Sequence, residues 1–142
     1  VIAYVDTSVI LGHLLRQPRH FPDFMAWRKM VISELAELEV RRTLDRQRTL
    51  GWMPGEEMGR YLELALQILI RCECVALDKR VLRRAMSTYG APLGTLDSIH
   101  LATALMWLEE NGGELQFLTH DRQLAVAART CLLTVKTSPD EL

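Results

Sequence analysis

Cysteine is scarce in this chain: Cys72, Cys74 and Cys131 are an odd number, and they suggest neither a disulfide framework nor a zinc site. No apolar stretch reaches the roughly 18 residues of a membrane span before a charge interrupts it, and no positively charged start leads into a secretory core. The expectation is a soluble protein of the reducing cytoplasm with no membrane attachment. An excess of one charge is also missing. Seventeen Lys+Arg face eighteen Asp+Glu, and the formal net charge of -1 argues against a basic scaffold that grips nucleic acid along its whole surface. A local basic patch is still compatible with that balance. No G-x-x-x-x-G-K-[ST] segment supports a P-loop enzyme, and no G-x-G-x-x-G run supports a dinucleotide site.

What remains is 142 residues of 49% apolar character, enough for one domain with a sizeable core and too few for two ordinary ones. The expected unit is a single domain over residues 1–142. Apolar runs and turn residues predict strands at 2–5, 72–77, 115–118 and 132–135, with a fifth, edge strand compatible but not readable. Helices are predicted at 7–15, 21–30, 33–49, from Pro54 to about residue 70, at 79–89, 96–110 and 122–129. Asn111, Gly112 and Gly113 favour a left-handed exit from the sixth of these helices. Strands alternating with helices, and no Asn-Gly hairpin, predict a three-layer α/β/α domain with a parallel sheet of four or five strands.

Four acids stand out against this frame. Asp6 ends the first apolar run (VIAYVD), Asp121 ends a late strand (LQFLTHD), Glu39 lies in an amphipathic helix, and Asp97 opens another (LDSIHLATAL). Open parallel sheets place ligand sites beyond the carboxyl ends of their strands, where Asp6 and Asp121 both fall. Either one alone is equally well read as the cap of the next helix. Glu39 is distinguished by direction: at about 100° per residue, the apolar face set by Leu35, Ala36, Val40 and Thr43 runs almost through it. Glu34 and Glu37 lie on the other side, where Glu37 and Arg41 form an exposed pair. An inward carboxylate needs compensation, either from Arg42 or Arg46 nearby or from a metal shared with other acids.

Clustered carboxylates repel one another, so a fold that gathers them implies a divalent cation. Oxygen-only ligands favour Mg²⁺ or Mn²⁺ over zinc, and the chemistry best served is phosphodiester hydrolysis. Thr7, Ser8 and Thr119 adjoin the strand-end acids and either orient a carboxylate or cap a helix. His100, one turn from Asp97, reads as a packing residue rather than a metal ligand. Lys79, Arg80, Arg83 and Arg84 are the densest basic group and the candidate contact for a phosphodiester substrate, with a solvated helix face as the alternative. Trp27, Trp52 and Trp107 are assigned to no ligand.

The segments YVDTSVIL at Asp6, SELAELEVRR at Glu39, LDSIHLATA at Asp97 and FLTHD at Asp121 resemble, in that order and context, a PIN domain of the VapC-type ribonuclease toxins. The resemblance covers nearly the whole chain. It implies an α/β/α fold, dependence on Mg²⁺ or Mn²⁺, endonucleolytic cleavage of RNA, a homodimer, and inhibition by a cognate VapB-type antitoxin. It places Asp6 and Asp97 most directly on metal, has Glu39 and Asp121 complete the acidic site, and makes Thr119 a helper. It also gives Arg42 a candidate role in balancing the acids or meeting an antitoxin segment.

Two other classes compete. A receiver module would match Asp6 and Lys136 only loosely, lacking the paired acids after the first strand. The stronger competitor is a catalytically inactive PIN-like scaffold for protein interaction, against which the four retained acids argue.

Overall fold

The structure is a computed structural model that describes residues 1–141. Ile2–Val5 form β1, and Thr7–Leu14 form α1 immediately after it. A 3-10 turn at Phe24–Ala26 precedes β2 at Lys29–Ser33, and the α2–α3 pair follows at Leu35–Thr49 and Gly55–Leu69. Then come β3 (Glu73–Val75), α4 (Lys79–Ala85), α5 (Thr95–Asn111), β4 (Leu115–Leu118), α6 (Arg122–Thr130), β5 (Thr134–Lys136) and a final 3-10 turn at Pro139–Glu141. No helix among the described residues is long and apolar enough to cross a membrane.

All five strands pair in parallel, in the order β3-β2-β1-β4-β5. The chain builds outward from β1 through β2 to β3, then crosses back and continues on the other side with β4 and β5. The reversal falls between β1 and β4, whose carboxyl ends lead to Asp6 and Asp121. Such a switch point splays the following loops apart and leaves a crevice above the sheet edge.

Period-two alternation divides the core into two layers. Ala3, Val5, Met30, Ile32 and Leu118 face a cluster with Val9, Ile10, Val40 and Ala65 from α1, α2 and α3. Tyr4, Val31, Leu115 and Phe117 face Leu101, Ala104, Leu124 and Ala128 from α5 and α6. The sheet is therefore covered on both faces, as short apolar parallel strands require.

The segment 21–30 departs from the sequence-based expectation. It is not a helix: Trp27 follows the 3-10 turn, and Lys29–Ser33 form an inner strand beside β1. The unread strand therefore lies inside the sheet, not at an edge. Met30, Val31, Ile32 and Ser33 are all buried, so this strand has no polar alternation, and a short continuous apolar run has no readable period. The helix at 79–89 ends early, at Ala85, and β5 begins two residues late because Leu132 leaves α6 with φ 64. Gly112 and Gly113 take φ 68 and 82 after α5, the left-handed exit expected of them.

Candidate active site

Asp6 occupies the N-cap position of α1, yet its side chain makes no capping hydrogen bond. Its backbone N–H instead extends the ladder to the Leu118 carbonyl at 3.0 Å, and this turns the carboxylate over the sheet edge. There Oδ2 accepts from Ser8 Oγ at 2.6 Å and from Thr119 Oγ1 at 2.8 Å. Thr119 Oγ1 in turn accepts from the Asp121 N–H at 3.0 Å, which couples the ends of β1 and β4. Ser8 Oγ accepts from the His120 N–H at 2.9 Å. Asp121 also caps α6, its Oδ1 accepting from the Leu124 N–H at 2.9 Å. The capping reading thus describes one oxygen of Asp121 and none of Asp6.

Glu39 reaches the same edge from the second turn of α2. Its Oε1 accepts from Thr7 Oγ1 at 2.8 Å and from His100 Nε2 at 2.6 Å. The nitrogen on the other side of the ring, His100 Nδ1, lies 2.7 Å from the Tyr4 hydroxyl. In the neutral imidazole a proton on Nε2 points at Glu39 and Nδ1 accepts from the Tyr4 hydroxyl; in the imidazolium both nitrogens donate, Nδ1 to the Tyr4 oxygen. This bridge spans the molecule: Tyr4 and His100 belong to the α5 layer, Glu39 to the α2 layer. His100 Nε2 also lies 3.5 Å from Asp6 Oδ1, so one imidazole touches two of the four acids.

His100 is the residue that sequence reasoning underestimated. At 1% exposure it is buried, and it supplies the compensation that Glu39 was expected to draw from Arg42, Arg46 or a metal. Arg42 is turned away: its guanidinium pairs with Asp45 at 3.3 Å on the exposed face of α2. The signal in the sequence was the spacing of Asp97 and His100, which puts both on one side of a helix, but an isolated histidine gives no indication of its partner. Burial works against charge on both members of the pair. The Glu39–His100 hydrogen bond and the adjacent charges outweigh it, lowering the Glu39 carboxyl below its ordinary range and raising the His100 imidazole above its own.

Asp97 completes the group from the first turn of α5. No side chain or backbone N–H among the described residues donates to it. Burial, followed by the charges of Asp121 and Asp6, pushes its carboxyl up to about 6. The acidic cluster therefore holds four carboxylates against one imidazole, which hydrogen-bonds Glu39 and lies beside Asp6.

Among the described residues no group of three or more His, Cys, Asp or Glu side chains is drawn together tightly enough to hold a metal ion as the side chains stand. Their hydrogen bonds explain this, since Glu39 is held toward His100 and Thr7, and Asp121 toward Leu124. The donor chemistry still fits a hard divalent cation. Among the described residues both oxygens of Asp97 and Asp121 Oδ2 accept no hydrogen bond, Asp6 Oδ1 lies 3.5 Å from His100 Nε2, and the burial of Asp97 beside Asp121 and Asp6 is a cost a cation would relieve.

The α4 basic group lies elsewhere. Arg80 pairs with Asp78 at 3.6 Å and with Glu110 at 3.4 Å, and Arg84 pairs with Glu109 at 3.2 Å. Glu109 is twelve residues beyond Asp97 on α5, about 18 Å along the helix axis. Trp107 is a core residue whose indole N–H donates to Glu73 at 3.0 Å, whereas Trp52 is exposed.

The PIN domain family profile matches residues 3–130. Among solved structures, a toxin-antitoxin complex from Klebsiella pneumoniae superposes with a TM-score of 0.62 at 17% identity, covering 87% of this chain and 90% of that one. DNA-bound VapBC from Salmonella typhimurium gives a TM-score of 0.65 at 14% identity, with 96% and 97% covered. PAE2754 from Pyrobaculum aerophilum gives 0.63 at 20% identity, with 96% and 84% covered. No curated protein matches the chain in sequence. Because the family profile spans both strand-end acids and the helices that carry Glu39 and Asp97, this chain belongs to the PIN domain family.

Proposed function

We propose that the chain is a metal-dependent endoribonuclease of the VapC type, the growth-inhibiting toxin of a toxin–antitoxin pair. The observation that carries this reading is the convergence of Asp6, Glu39, Asp97 and Asp121 at the switch point of a parallel sheet, where burial and the neighbouring Asp121 and Asp6 together raise the Asp97 carboxyl. Solved structures of the same fold include toxin–antitoxin complexes, and that supports an antitoxin partner. The homodimer expected from the family resemblance belongs to the same proposal.

On this reading Asp6 Oδ1, Asp97 and Asp121 hold Mg²⁺ or Mn²⁺, and Glu39 completes the acidic wall. The cation, when bound, supplies Lewis-acid stabilisation of charge at the phosphate and lowers the pKa of the attacking water. The chain's own groups fix the geometry. Ser8 and Thr119 hold Asp6 Oδ2 and so aim Oδ1 into the crevice. Thr7 and His100 hold Glu39 in one orientation, and His100 keeps it ionised despite its partial burial.

The test is cleavage of a mixed cellular RNA pool by antitoxin-free protein with Mg²⁺, Mn²⁺ or EDTA, beside folded Asp6→Asn, with RNA ends mapped. Discrete metal-dependent cuts that disappear in the variant are expected. Equal cutting by the variant would overturn the site. Absence of cutting by the parent on every RNA class would favour the inactive scaffold.

A further inference from the structure

We infer that single-stranded RNA is held by a basic cavity between α1 and α3, not by the α4 helix face. This inference rests on the ribonuclease reading and names where the substrate backbone lies. The cavity has a volume of about 590 Å³, and its walls include Arg16, Arg60 and Arg71 together with His20 and Tyr61. Among the described residues no carboxylate pairs with any of these three arginines, in contrast to Arg41, Arg42, Arg48, Arg80 and Arg84. In a chain of net charge -1, three unpaired guanidiniums around one hollow form a local anion site.

The backbone supports the same conclusion. Arg16 follows α1 with φ 50, while the Gln17 N–H closes the helix on the Gly12 carbonyl at 2.9 Å. That left-handed exit favours glycine, and a β-carbon there is strained. The position nevertheless carries an arginine whose side chain lines the cavity.

Placement suits a substrate that spans both features. Asp6 immediately precedes α1 and Arg16 lies just past its end, so the two stand at opposite ends of an eight-residue helix about 12 Å long. Single-strand grooves commonly contact about 4–16 nucleotides, so one strand can reach from the acids to the arginines. The acidic crevice itself repels phosphate, and a substrate held there needs cations beside it. Tyr61 offers a ring for stacking and the guanidiniums bind phosphate oxygens as forked donors. The α4 group fits less well because Arg80 and Arg84 are engaged by acids at the far end of α5.

The experiment measures fluorescence anisotropy of a labelled oligouridylate of about twelve nucleotides, within the single-strand range above, in EDTA and over a salt series. It uses the full chain, an Arg16→Gln/Arg60→Gln/Arg71→Gln variant, the corresponding triple Lys variant, and Arg80→Gln/Arg83→Gln/Arg84→Gln. The first variant should lose about tenfold or more in affinity at low salt and about two units of the logarithmic salt slope. The Lys variant should keep most of the slope, and the α4 variant should bind as the parent does. Parent-like binding by the Gln variant would overturn the inference. So would oligoglutamate binding the cavity more tightly than RNA, which would assign it to an acidic protein segment. Hydrolysis of bis(p-nitrophenyl) phosphate by the parent with Mn²⁺, a substrate too small to reach the cavity, tests the nuclease reading separately. A parent inactive on it, with RNA binding still lost in the Gln variant, would sink the nuclease assignment and leave the RNA site standing.

Discussion

His100 Nε2 lies 2.6 Å from Glu39 Oε1 and joins a helix on one face of the sheet to a helix on the other. Removing the ring leaves the Tyr4 hydroxyl and a partly buried carboxylate without their partner. His100→Ala should therefore destabilise the fold by about 3 kcal/mol, the class of loss seen when one member of a buried pair is deleted. His100→Gln places an amide donor near the Nε2 position and should recover part of both stability and cleavage. Denaturant titration and cleavage rates on both variants check this. Equal losses in the two would show that the imidazole matters only for its volume.

The pair also sets a pH window. Glu39 has its carboxyl lowered on folding, so its contribution is present above the ordinary carboxylate value of 4.5 and lost as pH falls through the lower folded value. His100 is raised, so its contribution is complete below 6.5 and lost as pH rises through the higher folded value. The bridge should stabilise most between those limits. Unfolding free energy of the parent minus that of Glu39→Gln, measured from pH 4 to 9, should peak in the interval, and a flat difference would refute the assignment.

Asp97 works in the opposite direction. Its carboxyl is raised from 3.8 to about 6 by burial and by Asp121 and Asp6, so it favours the folded state below 3.8 and loses that contribution as pH climbs through about 6. Asp97→Asn should consequently melt higher than the parent at pH 7–8 without divalent cation. The advantage should shrink to nothing below pH 4, while cleavage is lost throughout. Mg²⁺ should raise the parent's melting temperature at pH 7.5 and leave the variant's nearly unmoved. A variant less stable than the parent at pH 8 would show that repulsion is not what Asp97 feels.

Much of this was written locally in the sequence. Asp6 and Asp121 follow apolar strands, and Glu39 falls on the buried side of a helix whose exposed side carries the Glu37–Arg41 pair, formed at 3.0 Å. Local periodicity can report such facts. It could not report β2, because Met30, Val31 and Ile32 are buried on both faces and leave no alternation. Nor could it pair His100 with Glu39, which are 61 residues apart in sequence and meet only after the sheet has ordered its strands. Arg42 illustrates the same limit: its neighbour in sequence is the acidic site, and its neighbour in space is Asp45.

Tyr4 provides a test of the bridge that leaves its charges in place. The hydroxyl is fully buried and lies 2.7 Å from His100 Nδ1, so Tyr4→Phe deletes one partner and strands a ring nitrogen in the core. The ring itself remains stacked on Phe117, at 5.1 Å between centroids. The expected loss is about 1–2 kcal/mol, from an unsatisfied buried polar group rather than from a cavity. Cleavage should fall less than in His100→Ala, because Nε2 still faces Glu39. A loss equal to that of His100→Ala would mean that Tyr4 fixes the imidazole outright.

Arg16 sets stability against substrate holding at one position. Its φ of 50 is a conformation in which glycine is at ease and arginine is not. Arg16→Gly should raise stability by about 0.5–1 kcal/mol, since the backbone strain disappears and, among the described residues, no ion pair or hydrogen bond of the side chain is given up. The same change removes one of three cations from the cavity and should weaken RNA binding while lowering the salt slope by about 0.7. Denaturant midpoints and anisotropy measured on one preparation decide both halves. If the glycine variant were more stable and bound RNA as tightly as the parent, the strained arginine would have no part in holding the substrate.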